Sequence, residues 1–330
     1  MKTRYLHASL CVQISFYQRG VEYMGNSKPT LVIMAAGMGS RFKGLKQMTS
    51  VDEYGRSLMD YAIFDALEAG FGDVVFIIRR DFADAFKEQV GSRIEKMAPV
   101  TYVYQELTDI PEGSSLPEGR VKPWGTTHAI WSAREVLEGK AFLTINSDDY
   151  YGKDAFAKAV KFFEENDKDS QFACIGYNVV MTLESQGTVS RGICKVDADD
   201  YLIRIDERKK IKLDQNRGYY TLDDGATFHL IPEDALASMN LWAFNPGFLS
   251  DIEKTFPERL ANGLVKNPDT FEETLSDAVQ NMIERSACTV KILKTNATWF
   301  GMTYAEDLQT VKDSLAELVK EGKYPDGEWK

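Results

Sequence analysis

Nowhere in these 330 residues does an unbroken run of about 18 apolar side chains occur, so no membrane-crossing helix is expected. Cysteine is sparse. Cys11, Cys174, Cys194 and Cys288 are scattered and form no C-x-x-C pair, which argues against a disulfide framework and against a zinc site. Positive charge is also short: the formal net charge is −11. A chain this acidic does not coat nucleic acid or anionic lipid by bulk attraction. Both common phosphate-loop signatures are missing. G-x-x-x-x-G-K-[ST] does not occur, and Phe42 stands where G-x-G-x-x-G needs its third glycine. There is no internal repeat, and no hexapeptide β-helix pattern. The mildly apolar Leu10–Phe16 is not followed by a small-residue cleavage site, so a signal peptide is not expected. Residues 1–28 read as a poorly ordered N-terminal extension, with Met24 just ahead of the first convincing strand.

What is present is a core. Hydrophobic residues make up 44% of the chain, too many for a disordered protein. Thr30–Ala36, Val74–Ile78, Val100–Gln105, Ala141–Asn146 and Gln171–Tyr177 read as strands. Leu58–Phe71, Asp81–Val90, Thr127–Leu137 and Asp154–Asn166 carry helical spacing between them. Such alternation predicts an α/β, Rossmann-like three-layer sandwich with a mainly parallel, mixed central sheet. Beyond it, Gly192–Asp197 and Tyr201–Glu207 read as a hairpin, and Leu241–Phe244 as a short strand. Thr270–Arg285 and Thr303–Glu321 each open with T-x-x-E, the pattern of a helix capping box. The long segment Glu106–Trp124, punctuated by proline and glycine, reads as a lid, a binding loop or disorder.

Two segments carry chemistry. In Met34–Gln47 (MAAGMGSRFKGLKQ) a buried strand ends in Ala35, Ala36, Gly37, Gly39 and Ser40. Glycines there let backbone N–H groups approach a phosphate. Arg41 can fork onto phosphate oxygens, and Lys46 supplies a mobile charge. In Ala141–Gly152 (AFLTINSDDYYG) two aspartates follow directly on a strand. A carboxylate at a strand's carboxyl end can hold Mg²⁺ together with water and phosphate oxygens. Asp148 is the candidate, while Asp149 either supports it or caps the turn.

The glycine segment resembles A-A-G-x-G-[ST]-R followed by P-K-P or P-K-Q, the signature of the nucleoside-diphosphate-sugar pyrophosphorylases. Those enzymes are sugar-phosphate nucleotidyltransferases, and the chain is closest in feel to the glucose-1-phosphate uridylyltransferases among them. Leu45 replaces the usual proline. The resemblance runs from about Thr30 to Lys320 and implies a GT-A-like nucleotidyltransferase fold. It implies a single domain over residues 29–330, with a nucleotide-binding half to about 180 and a sugar-binding half from about 181. Arg41, Lys46 and Asp148 match catalytic positions. Trp124–Ala129 (WGTTHA) resembles the family's G-T-A-x-A loop, so Gly125 and Thr126 join the nucleotide site, and Gln105 matches a glutamine that reads the base edge. Leu275–Val279 resembles L-T-D-A-I, which makes Asp277 a second Mg²⁺ ligand beside Asp148. Arg191 and Gly192 match a Y-G-[RV] turn. Glu207 would accept sugar hydroxyls, Arg208 or Lys209 would hold the sugar phosphate, and Asn240 would bind a sugar hydroxyl.

The function so implied is Mg²⁺-dependent transfer of a nucleoside monophosphate from an NTP to a sugar 1-phosphate, in the cytoplasm. UTP is favoured, with CTP or dTTP as options, and no nucleic-acid or membrane partner is expected. The oligomeric state, monomer or homodimer, stays open. The alternatives are a cytidylyltransferase for a non-sugar alcohol phosphate and a catalytically silent nucleotide-binding protein.

Overall fold

A computed structural model describes residues 28–37, 46–183, 187–302 and 306–329. The expected N-terminal extension falls almost wholly outside these residues, and so does the expected capping threonine at 303.

The centre is a four-stranded parallel unit in the order β3-β2-β1-β4: β1 (Thr30–Met34), β2 (Asp73–Ile78), β3 (Val100–Tyr104) and β4 (Phe142–Asn146). β1 is apolar after Thr30 because both its faces are buried. Leu31 and Ile33 enter one core, and Val32 enters the other. Helix α1 (Leu58–Ala69) packs on the first side. Asp60 accepts from the Ser57 N–H at 2.8 Å to open it, and Gly70 in the left-handed region closes it. Short helices follow, α2 (Ala83–Phe86) and α3 (Ser92–Ile94), joined by a π-turn. The second side is covered by α4 (Thr126–Ser132), with α5 (Arg134–Leu137) directly after it.

The aspartates after β4 open a two-residue strand, β5 (Asp149–Tyr150), before α6 (Lys153–Glu165) and β6 (Gln171–Asn178). The expected hairpin is present and longer than the sequence suggests: β7 (Val189–Val196) pairs with β8 (Leu202–Asp214). β9 (Arg217–Tyr220) and β10 (His229–Leu230) extend that edge of the sheet. β11 (Leu236–Phe244) runs antiparallel to β4, β6 and β7 at once, so one eleven-stranded mixed sheet spans both the parallel unit and the hairpin.

Helix α7 (Gly247–Lys266) follows, then α8 (Leu275–Glu284). α8 starts later than its T-x-x-E pattern predicts. Glu273 is buried in an ion pair with Arg259 at 2.5 Å and cannot cap. Thr274 and Asp277 form the capping box instead. β12 (Thr289–Thr295) pairs in parallel with β6, β13 (Phe300–Gly301) pairs with β5, and α9 (Asp307–Lys320) follows.

Candidate active site

The chain lays β1, β2 and β3 outward in turn, then returns to the other flank of β1 with β4. That return is a topological switch point, where the carboxyl ends of parallel strands leave a crevice. Met34 at the end of β1 pairs with Asn146 at the end of β4. The glycine loop and the aspartate pair therefore emerge side by side. A cleft of about 280 Å³ opens there, lined by Ala36, Gly37, Gln47, Gln105, Gly125, Thr126, Asn146 and Asp148 among others. A larger cavity of about 630 Å³ adjoins it and shares Ala36, Gln105 and Pro123.

Gln47 fixes where the glycine loop begins. Its buried amide donates to the carbonyls of Ala35 at 3.0 Å and Gly37 at 2.6 Å. The K-Q pair of the sequence was the available signal for this role. Gly39, Ser40 and Arg41 lie outside the described residues, as does the side chain of Lys46, whose backbone opens the 3₁₀ turn Lys46–Met48.

Asp148 is half-buried, and its backbone carbonyl accepts from the Met302 N–H at 3.0 Å. The strand pair behind that bond brings Phe300 into a stack on Tyr150 at 4.5 Å. Asp149 is buried and accepts from Asn146 at 2.8 Å and from the Tyr151 hydroxyl at 3.2 Å. It braces the turn that presents Asp148. Asn240 arrives from β11, where a register shift coincides with its φ of 60°. That left-handed kink turns its amide toward Asn146 at 3.3 Å. Asparagine tolerates such a backbone better than most residues.

The opposite wall is built from two loops locked together. Gly125 has φ 97°, and a Cβ there would lie 2.2 Å from the Glu273 carbonyl oxygen, so only glycine fits. Thr126 Oγ1 accepts from the Leu275 N–H at 2.9 Å, and Thr127 Oγ1 donates to the Thr274 carbonyl at 2.8 Å. Upstream, the buried Arg120 donates to the carbonyls of Lys122, Pro123, Pro268 and Phe271 and stacks on Trp124 at 3.7 Å. The segment Glu106–Trp124 is thus bolted down at the end nearest the site, which suits a binding loop and not a lid hinged there.

Residues 30–317 match the family described as nucleotidyl transferase. The chain belongs to the nucleotidyl transferase family. Over 187 residues it is 28% identical to a UTP–glucose-1-phosphate uridylyltransferase of Komagataeibacter xylinus, a match covering 51% of this chain and 61% of that protein. Among solved structures, one from Bacillus anthracis, described as a glucose-1-phosphate thymidylyltransferase, aligns with a TM-score of 0.60 at 14% identity, over 91% of this chain and 97% of that one. The inositol-1-phosphate CTP transferase of T. maritima also aligns at 0.60, with 12% identity, over 89% and 97%. A UDP-glucose pyrophosphorylase complexed with UDP-glucose aligns at 0.54, with 17% identity, over 88% and 99%. These structures share the mixed, mainly parallel sheet flanked by helices.

In this family member Glu207, Asp277, Arg191 and Lys209 form a second group, while Arg208 lies on the opposite face of β8 from Glu207. Gly192 pairs with Glu207 across the hairpin. Burial pushes the Glu207 carboxyl up, the Asp277 charge adds to this, and Arg191 and Lys209 oppose it. Asp277 therefore stands near Glu207, and its Oδ2 accepts from the Thr274 N–H at 2.9 Å and hydroxyl at 2.8 Å. The Arg191 guanidinium donates to the Thr182 carbonyl at 2.7 Å and stacks over Trp299 at 4.8 Å. Arg208 pairs with Asp206 at 3.2 Å and lies over Tyr220. Among the described residues no three acidic, histidine or cysteine side chains gather as a preformed metal cage. Mg²⁺ does not need one, since it is commonly held by one or two carboxylates plus substrate phosphates. Asp148 at the cleft fits that role.

Proposed function

We propose that this protein transfers a nucleoside monophosphate from an NTP to a sugar 1-phosphate and releases pyrophosphate. The observation that carries the reading is the convergence of Gly37, Gln105, Gly125, Thr126 and Asp148 on one cleft at the switch point. In the reaction a sugar phosphate oxygen attacks the α-phosphorus in line, a new P–O bond forms, and the bond to the β-phosphate oxygen breaks. Such chemistry depends on positioning and charge neutralisation. The glycine loop with Arg41 and Lys46 holds the departing phosphates. Asp148 would hold Mg²⁺, with Asp277 as the second proposed ligand, and the ion would neutralise charge at the α-phosphate. Asn240 and Glu207 face the sugar, while Arg208 or Lys209 seats its phosphate. The K. xylinus relative supports UTP and glucose 1-phosphate as first choice. The T. maritima neighbour favours a second reading, CTP with an alcohol phosphate such as inositol 1-phosphate. Pyrophosphate release from four NTPs against several sugar 1-phosphates and inositol 1-phosphate decides between them. Release from no pair in the presence of Mg²⁺ would sink both.

A further inference from the structure

A partly buried hydrogen-bond chain runs behind the base-side wall of the cleft. Arg134 grips the Asp109 carboxylate with both terminal nitrogens, each at 3.0 Å. The Asp109 main-chain carbonyl lies 2.7 Å from Nε2 of His128. A carbonyl can only accept, so Nε2 carries the imidazole proton and Nδ1 keeps a lone pair. Nδ1 in turn lies 3.1 Å from Nε2 of Gln105. The same Gln105 nitrogen donates to the Gly125 carbonyl, also at 3.1 Å. Two acceptors therefore take both amide protons of Gln105, and the amide cannot flip without losing both bonds. What Gln105 has left for the cleft is its carbonyl oxygen. His128 is fully buried, and desolvation pushes its imidazole down to about 4, which keeps the ring neutral and the lone pair available near pH 7.

We propose that His128 is a positioning residue that holds Gln105 as a pure hydrogen-bond acceptor and thereby selects a nucleobase with an imide edge, uracil or thymine, over cytosine. An imide edge offers an N–H between two carbonyls and meets the Gln105 oxygen with a donor. Cytosine places a ring-nitrogen lone pair at the same point. Two facing acceptors leave both unsatisfied in a desolvated site, which is how polar readout rejects a near-isostere. The proposal rests on the nucleotidyl-transfer reading of this cleft.

The test compares kcat/KM for UTP and CTP with one sugar 1-phosphate in the wild type, His128→Asn and His128→Leu. Wild type should favour UTP by roughly tenfold or more. Asparagine can leave an acceptor where Nδ1 stood and should keep the preference. Leucine removes the acceptor and frees the amide to turn, so the UTP:CTP ratio should fall about tenfold, chiefly through KM. A wild type that prefers CTP, or an unchanged ratio in His128→Leu, would overturn the proposal. If no pair is turned over, the transfer reading has failed, and calorimetric binding of UTP and CTP gives the same ratio. Nitrogen NMR of the wild type is a further check that needs neither turnover nor a folded variant. Protonation of His128 at Nε2 alone is expected near pH 7, and a proton on Nδ1 would refute the chain of bonds.

Discussion

Asp148 is held from its backbone outward, by the Met302 N–H on one side and the Asn146–Asp149 contact on the other. Asp148→Asn should lower kcat by about 10²-fold or more, the usual cost of losing a charged contact to the transition state. Its circular-dichroism spectrum, read beside kcat, separates lost chemistry from a lost fold. Retention of more than roughly a tenth of the wild-type rate at saturating Mg²⁺ would remove Asp148 from the metal site. Gln47 makes the opposite case. Its amide serves the loop itself, so its loss would move Gly37 before it touched any ligand.

Among the elements, the loop Glu106–Trp124 depends most on one side chain. Arg120 supplies the donors for four partly buried carbonyls of the loop and the 268–271 segment. Arg120→Met keeps much of the stem and removes the donors, and should cost on the order of 2–3 kcal/mol of stability. Amide exchange in residues 106–124 should quicken at the same time. Unchanged exchange would mean that Trp124 and the Lys122–Glu272 ion pair hold the loop without it. The sequence makes some elements plain and hides others for physical reasons. β1 and β4 are legible because each is a short apolar run cut off by glycine or aspartate. α7 spaces Phe248, Leu249, Ile252, Phe256 and Leu260 as a helix does, but Pro257 inside it reads as a break. β12 mixes lysines into its apolar positions, since it covers β6 on one flank only. The Glu273 cap is misread because a buried partner, Arg259, outcompetes the helix end for it. At the site, the strand-end motifs are legible, whereas the His128–Gln105 contact joins residues from separate elements and leaves no local pattern.

At the scale of the molecule, Asp65 links the tail to the site. Its Oδ2 accepts from the Tyr324 hydroxyl at 2.7 Å, and Tyr324 meets the Tyr150 hydroxyl at 2.9 Å, one residue beyond the aspartate pair. Asp65 Oδ1 is buried without a hydrogen-bond partner among the described residues. Burial pushes this carboxyl up to about 7, against about 3.9 in an unfolded chain. Between those values the folded state binds the extra proton, so this group's stabilisation is full below about pH 4 and is lost as pH rises toward 7. Asp65→Asn should therefore gain on the wild type between pH 4 and 7, by an amount on the order of a few kcal/mol, and run parallel to it above. His128 has the opposite sign. Its imidazole is lowered to about 4, from about 6.5 when unfolded, so its contribution is present above about 6.5 and lost as pH falls. Thermal melts of each variant against wild type, from pH 4 to 8, separate the two slopes. Identical slopes for Asp65→Asn and wild type would show that the carboxyl titrates normally.

β11 also governs how the chain reaches this state. The Thr144 hydroxyl bonds to the Asn240 carbonyl across a gap of 96 residues. Until β11 leaves the ribosome, β4 presents an open, apolar edge, and so does β6. Such edges invite pairing with other nascent chains, and contacts this distant in sequence form slowly. A nascent chain arrested before residue 236 carries the four parallel strands and no strand to seal them, so expression yield should fall most sharply for truncations that end between β10 and β11.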